Sequence, residues 1–132
     1  MGITIHAAIE ERQIPTTDYT PDWHTVADLV TWEGLSDLAS ALSGARDRMP
    51  PLYEAREIPV DSRAEISTDP YILKIMHSRS WLTLAECREV YAYFQSKNGG
   101  RDYHFEGVMA FMQLLEDSPD KYQTRFVFAF DD

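Results

Sequence analysis

Period-two alternation opens the chain. Ile3, Ile5, Ala7 and Ile9 fall on one side of an extended segment, and Thr4, His6, Ala8 and Glu10 on the other. β-Branched residues in that pattern predict a half-buried strand, which Glu10, Glu11 and Arg12 end in solvent. The same period returns near the C-terminus, where Phe126, Phe128 and Phe130 alternate with Arg125, Val127 and Ala129. Between the two, the spacing turns helical. Trp23, Val26, Leu29 and Val30 predict a helix with Thr20 as cap and Pro21 at its first position, although Val30-Thr31-Trp32 also suits a strand. Leu35, Leu38, Ala39 and Leu42 predict a second short helix stopped by Gly44.

Residues 46–70 are irregular. Pro50, Pro51, Pro59 and Pro70 exclude a long helix or a central strand, with room for one turn at Ala64-Glu65-Ile66. Tyr71 to Met76 fits a strand or a short helix. Extended chain then runs from His77 into Thr83, and Glu86 three residues later completes a capping box. Leu84, Cys87, Val90, Tyr91 and Phe94 continue that helix until Gly99-Gly100. Phe105, Val108, Met109, Phe111, Met112 and Leu115 mark another helix, closed at Ser118-Pro119-Asp120. The expected fold is α+β in a single domain, 1–132. A small antiparallel or mixed sheet includes the N- and C-terminal strands, with helices packed on one face.

Length and composition agree with one packed core: 132 residues, 44% apolar, with six Phe, seven Tyr and three Trp. No run reaches the roughly 20 apolar residues of a membrane span, and no basic-then-apolar leader opens the chain. The lone Cys87 cannot form an internal disulfide and fits a reducing cytoplasm, so a cytoplasmic location is expected. Cys87 itself reads as a small buried hydrophobe. The net charge of −10 opposes direct nucleic-acid binding and favours a basic partner.

Extended chain meeting a helix start is a place where an anion can be held, which singles out the segment from His77 to Trp81. Alternation there puts His77, Arg79 and Trp81 on one side and Ser78, Ser80 and Leu82 on the other. An imidazole, a guanidinium and an indole in a row can stack on a base and pair with a phosphate. His6, on the polar side of its strand, is the expected neighbour of His77. The candidate ligand-binding set is therefore His6, His77, Ser78, Arg79, Ser80 and Trp81. No H-x-x-x-H, H-x-H or cysteine pair joins His6, His24, His77 and His104, so neither metal nor cofactor is expected. No G-x-S-x-G elbow supports Ser78 or Ser80 as a nucleophile. Asn98-Gly99-Gly100-Arg101 lacks the phosphate-loop pattern and reads as a turn. Glu10-Glu11, Glu116-Asp117, Asp120 and Asp131-Asp132 would form a DNA-like negative patch if the fold gathered them.

Three islands carry a resemblance: Thr4-Ile5-His6, His77-Ser78-Arg79-Ser80-Trp81, and Arg125-Phe126-Val127-Phe128-Ala129-Phe130-Asp131-Asp132. They resemble a family of small phage- and prophage-encoded proteins that open with Asp-Ile-His, carry His-Ser-His-Ser-Trp/Tyr before a helix, and end in Val-Phe-Trp-Phe-Asp-Asn. Leu38 to Arg46 and Ile58-Pro59-Val60-Asp61 are similar to further segments of it. Here Thr4 stands for the Asp, Arg79 for the second His, Ala129 for the Trp and Asp132 for the Asn, and the first two replacements weaken any metal or acid–base role resting on that Asp or that second His. The resemblance implies origin and shape rather than an activity. With the acidic charge, it leads to the expectation of a non-enzymatic inhibitor of a host defence factor. The partner would be a host protein or a small anionic nucleotide, and a homo-oligomer is an open possibility. The alternatives are a phosphodiesterase using His6 and His77 as acid and base, an acidic DNA mimic, or a virion assembly protein.

Overall fold

The computed structural model describes residues 2–98 and 100–131. Gly99, read above as part of a helix stop, and Asp132, read above in an acidic stretch and in the closing island of the resemblance, lie outside the described residues. Strand β1 (Gly2–Gln13) is central. It pairs antiparallel with β2 (His24–Leu35) on one side and β4 (Tyr122–Asp131) on the other. Strand β3 (His77–Thr83) pairs with the free side of β4, giving the order β2-β1-β4-β3. The fold is α+β, and the first and last strands lie side by side, Ile5 opposite Phe130 and Ile9 opposite Phe126.

One face of the sheet is the expected core. Ile3, Ile5, Ala7 and Ile9 join Phe126, Phe128 and Phe130 beneath α1 (Ser36–Ser43), α4 (Leu84–Asn98) and α5 (Tyr103–Glu116). Helix α1 ends where Gly44 takes a left-handed conformation, φ +86°, which costs a residue without a Cβ nothing. Helix α4 starts at the capping box: Thr83 Oγ1 accepts from the Glu86 amide at 3.2 Å and Glu86 Oε1 accepts from the Thr83 amide at 3.0 Å. Asp102 caps α5 by accepting from the Phe105 amide, and its other oxygen accepts from the Trp32 indole at 3.2 Å, tying β2 to the helical layer.

The second face is covered too. The proline-rich middle folds over it, with α2 (Glu65–Thr68) and α3 (Pro70–Ile75) as its ordered turns. Ala64 and Ile66, flanked by Ile58 and Ile72, pack on Ala8, Val127 and Trp81.

Two expectations need correction. Pro21 to Val30 is no helix: His24 onward is strand β2. The periodicity misleads because β2 carries a bulge at Asp28-Leu29, where Leu29 has φ +52°. An extra residue slips the two-residue period to an apparent three, which imitates helical spacing. Strand β1 does not stop in solvent at Glu10-Glu11-Arg12 either. It runs to Gln13, and Glu10 is 0% exposed.

Candidate functional site

The structure disperses the segment from His77 to Trp81. Between His77 and Ser80 the register against β4 slips, with Ser78 at φ +55°. His77 therefore sits opposite Phe130 and Ser80 opposite Phe128, on the helix-covered face, whereas Trp81 sits opposite Val127 on the second face. The expected row of His77, Arg79 and Trp81 is broken by this bulge. The His77 ring packs beside Phe130, centroids 6.4 Å apart, and its Nδ1 lies 3.0 Å from Ser78 Oγ. Ser80 is buried, its hydroxyl accepting from the Arg56 amide at 2.9 Å.

Arg79 turns to the other side, donating to Glu57 at 3.0 Å and to the Leu73 carbonyl at 2.7 Å. Trp81 is met by the Arg56 guanidinium, 4.8 Å over its ring. Arg56 forks onto Glu86 with two bonds of 2.7 and 2.5 Å, and this pairing holds the Glu86 carboxyl below its ordinary range against the opposing effect of burial.

His6 does not meet His77. It sits opposite Ala129, and so on the other face from a residue opposite Phe130. Its Nε2 is 3.8 Å from Asp131 and finds no hydrogen-bond partner among the described residues. Burial pushes the imidazole below its ordinary pKa, and the Asp131 charge only partly offsets that. Two imidazoles on opposite faces cannot serve one substrate as acid and base. Among the described residues no three of His, Cys, Asp and Glu are placed to share a metal ion. No helix there is long and apolar enough to cross a membrane.

A different place gathers chemistry. On the second face, Glu10 and Arg125 form an ion pair at 2.8 Å with side chains 0% and 5% exposed. Arg125 also reaches Asp61 at 2.9 Å, and the second Glu10 oxygen accepts from Ser62 at 3.0 Å and Thr25 at 3.3 Å. Two guanidiniums lie over the Trp23 ring, Arg125 at 4.1 Å and Arg12 at 4.5 Å from its centroid. Arg125 is neutralised. Arg12 is not: it donates Nε to Gln123 at 3.0 Å and has no carboxylate partner among the described residues.

Beside this stack opens a recess of about 470 Å³, floored by Gln123 and Arg125, walled by Trp23 and Trp81, and bordered by Arg12 and the start of α4 at Thr83-Leu84-Ala85. Glu116 also reaches its wall, but both the amide and the hydroxyl of Thr124 donate to it. Thr83 sits opposite Arg125 and His77 opposite Phe130, so the recess lies five β4 residues, roughly 17 Å at strand rise, from the expected centre. Of the six expected residues, only Trp81 lines it.

The sequence held one signal for this site. Glu10 and Arg125 both occupy the non-core phase of long apolar alternations, where a charge marks either solvent or a buried counter-charge. Only the pairing of β1 with β4 tells which. No protein-family model, curated protein or solved structure matches the chain.

Proposed function

We propose that this chain is a non-enzymatic binding protein that captures a small anionic nucleotide in the recess between Trp23 and Trp81. The observation that carries the reading is Arg12, a guanidinium held rigid against an indole with its outer N–H groups uncommitted to any carboxylate. A phosphate fits that fork, and the α4 start supplies a positive dipole end on the same side. A base fits against Trp81. A volume of about 470 Å³ falls within the usual range of small-ligand pockets. In a chain of net charge −10, Arg12 gives the recess a cation with no carboxylate partner among the described residues, set against the single Glu116 carboxylate in its wall.

Taken with the phage-type resemblance, this supports a role in sequestering a nucleotide signal from a host defence factor in the cytoplasm. A DNA-mimic role is less well supported, because Glu10 is buried in an ion pair and Glu116 is occupied by Thr124.

Titration of tryptophan emission with AMP, adenosine and cyclic di-AMP tests the proposal. The expected result is saturable quenching by a phosphorylated ligand, weaker response to adenosine, and at least about tenfold weaker binding in Arg12→Ala, the loss of a charge-assisted pair. No response to either phosphorylated ligand would rule the reading out.

A further inference from the structure

One group in the recess between Trp23 and Trp81 works against a plain anion. Glu116, at the end of α5, brings a carboxylate into its wall, and a carboxylate facing a phosphate repels it. Arg12 and Glu116 reach the recess from different sides. Arg12 is bonded to Gln123 and Glu116 to Thr124, successive residues of β4 whose side chains take opposite faces of the strand. A single ligand therefore satisfies both charges only with different chemistry at its two ends: an anion toward Arg12 and N–H or O–H donors toward Glu116.

Hydrogen bonding defines both ends. At the Arg12 end, Gln123 Oε1 accepts from Arg12 Nε at 3.0 Å, a bond that only the amide oxygen can make, so Gln123 Nε2 is left as a second donor beside the guanidinium. At the other end both Thr124 donors, the amide at 3.2 Å and the hydroxyl, go to Glu116 Oε2. Glu116 Oε1 has no hydrogen-bond partner among the described residues, so both of its lone pairs are open. Oε1 can take two protons side by side.

Resting on the reading of the recess as a nucleotide pocket, we propose that the base it takes is guanine and that Glu116 is the residue that selects it. Guanine is the nucleobase with two adjacent N–H donors, N1–H and the 2-amino group, and together they fill the open oxygen of Glu116. Bases held outside a duplex are read along this edge. Adenine and cytosine each present one amino donor next to a ring nitrogen whose lone pair faces the carboxylate. Uracil flanks its single N–H with two carbonyls. With its edge on Glu116, the guanine ring lies against Trp81 and its phosphate turns to Arg12 and Gln123.

Tryptophan quenching of the full chain by GMP, IMP and AMP tests the assignment. IMP lacks only the 2-amino group of GMP, and AMP presents a ring nitrogen in place of N1–H. GMP should bind at least about tenfold more tightly than either, the worth of a hydrogen bond to a charged group. In Glu116→Gln the amide oxygen keeps the two Thr124 donors and its NH2 faces the ligand. GMP should then weaken to the level of AMP while AMP does not weaken, with circular dichroism showing the fold intact. AMP or IMP binding as tightly as GMP overturns the guanine assignment and leaves the pocket standing. So does a GMP preference that survives Glu116→Gln, or a Glu116→Gln that weakens AMP as much as GMP. Silence from all three nucleotides overturns the assignment and the pocket together.

Discussion

The Arg125 guanidinium donates to Glu10 at 2.8 Å across 115 residues of sequence, with both side chains inside the second layer of the sheet. Removing one member of a buried pair leaves the other charged and dry. Arg125→Met should therefore cost about 3–5 kcal/mol in chemical denaturation, whereas Glu10→Leu with Arg125→Met should recover most of that loss. A single variant as stable as the parent would show that water reaches Glu10.

Gly107→Ala should act in the opposite direction. Nothing crowds the new methyl, and alanine improves the helix by about 0.5–1 kcal/mol, so the unfolding midpoint should shift upward. A lower midpoint would mean that α5 is distorted at this position.

Glu106 is held by Arg101 through bonds of 2.9 and 2.5 Å and accepts from the Tyr91 hydroxyl, and these partners depress its carboxyl from 4.5 to about 2. The folded value is lower than the unfolded one, so the stabilising contribution is complete above pH 4.5 and is lost as pH falls toward 2. Carbon-13 titration of the carboxyl should show that low midpoint, and Arg101→Ala should move it upward. A midpoint unchanged by Arg101→Ala would assign the depression to Tyr91 instead.

Cys87 is fully buried, and burial, reinforced by Glu86 and Glu116, pushes its thiol far above the ordinary range. Thiolate is the reactive form. Native protein should therefore resist alkylation by iodoacetamide, with labelling governed by unfolding. Rapid labelling under native conditions would place Cys87 at the surface.

Much of this fold is legible in the sequence because its signals are local. The Ile3–Ile9 alternation, the Thr83–Glu86 box and the Gly44 stop each need only a few neighbouring residues. Two bulges defeat the same method. At Asp28-Leu29 and at Ser78 a single inserted residue reverses which face the following side chains take, and composition does not announce it. That is why the first helix was a strand, and why His77 and Trp81 part company. The recess was hidden for a different reason: Arg12, Trp23, Trp81 and Arg125 come from four separate stretches, and only tertiary pairing assembles them.

Strand β1 sits between a partner encoded soon after it and one encoded far downstream. As the chain leaves the ribosome, β2 follows within a few dozen residues and closes one edge of β1. The other edge, with its row of unpaired amides and carbonyls, waits for Tyr122–Asp131. Contacts so distant in sequence form slowly, and an open strand edge is an invitation to aggregate. Nascent-chain shielding by chaperones should therefore matter most in the interval before Tyr122–Asp131 emerges.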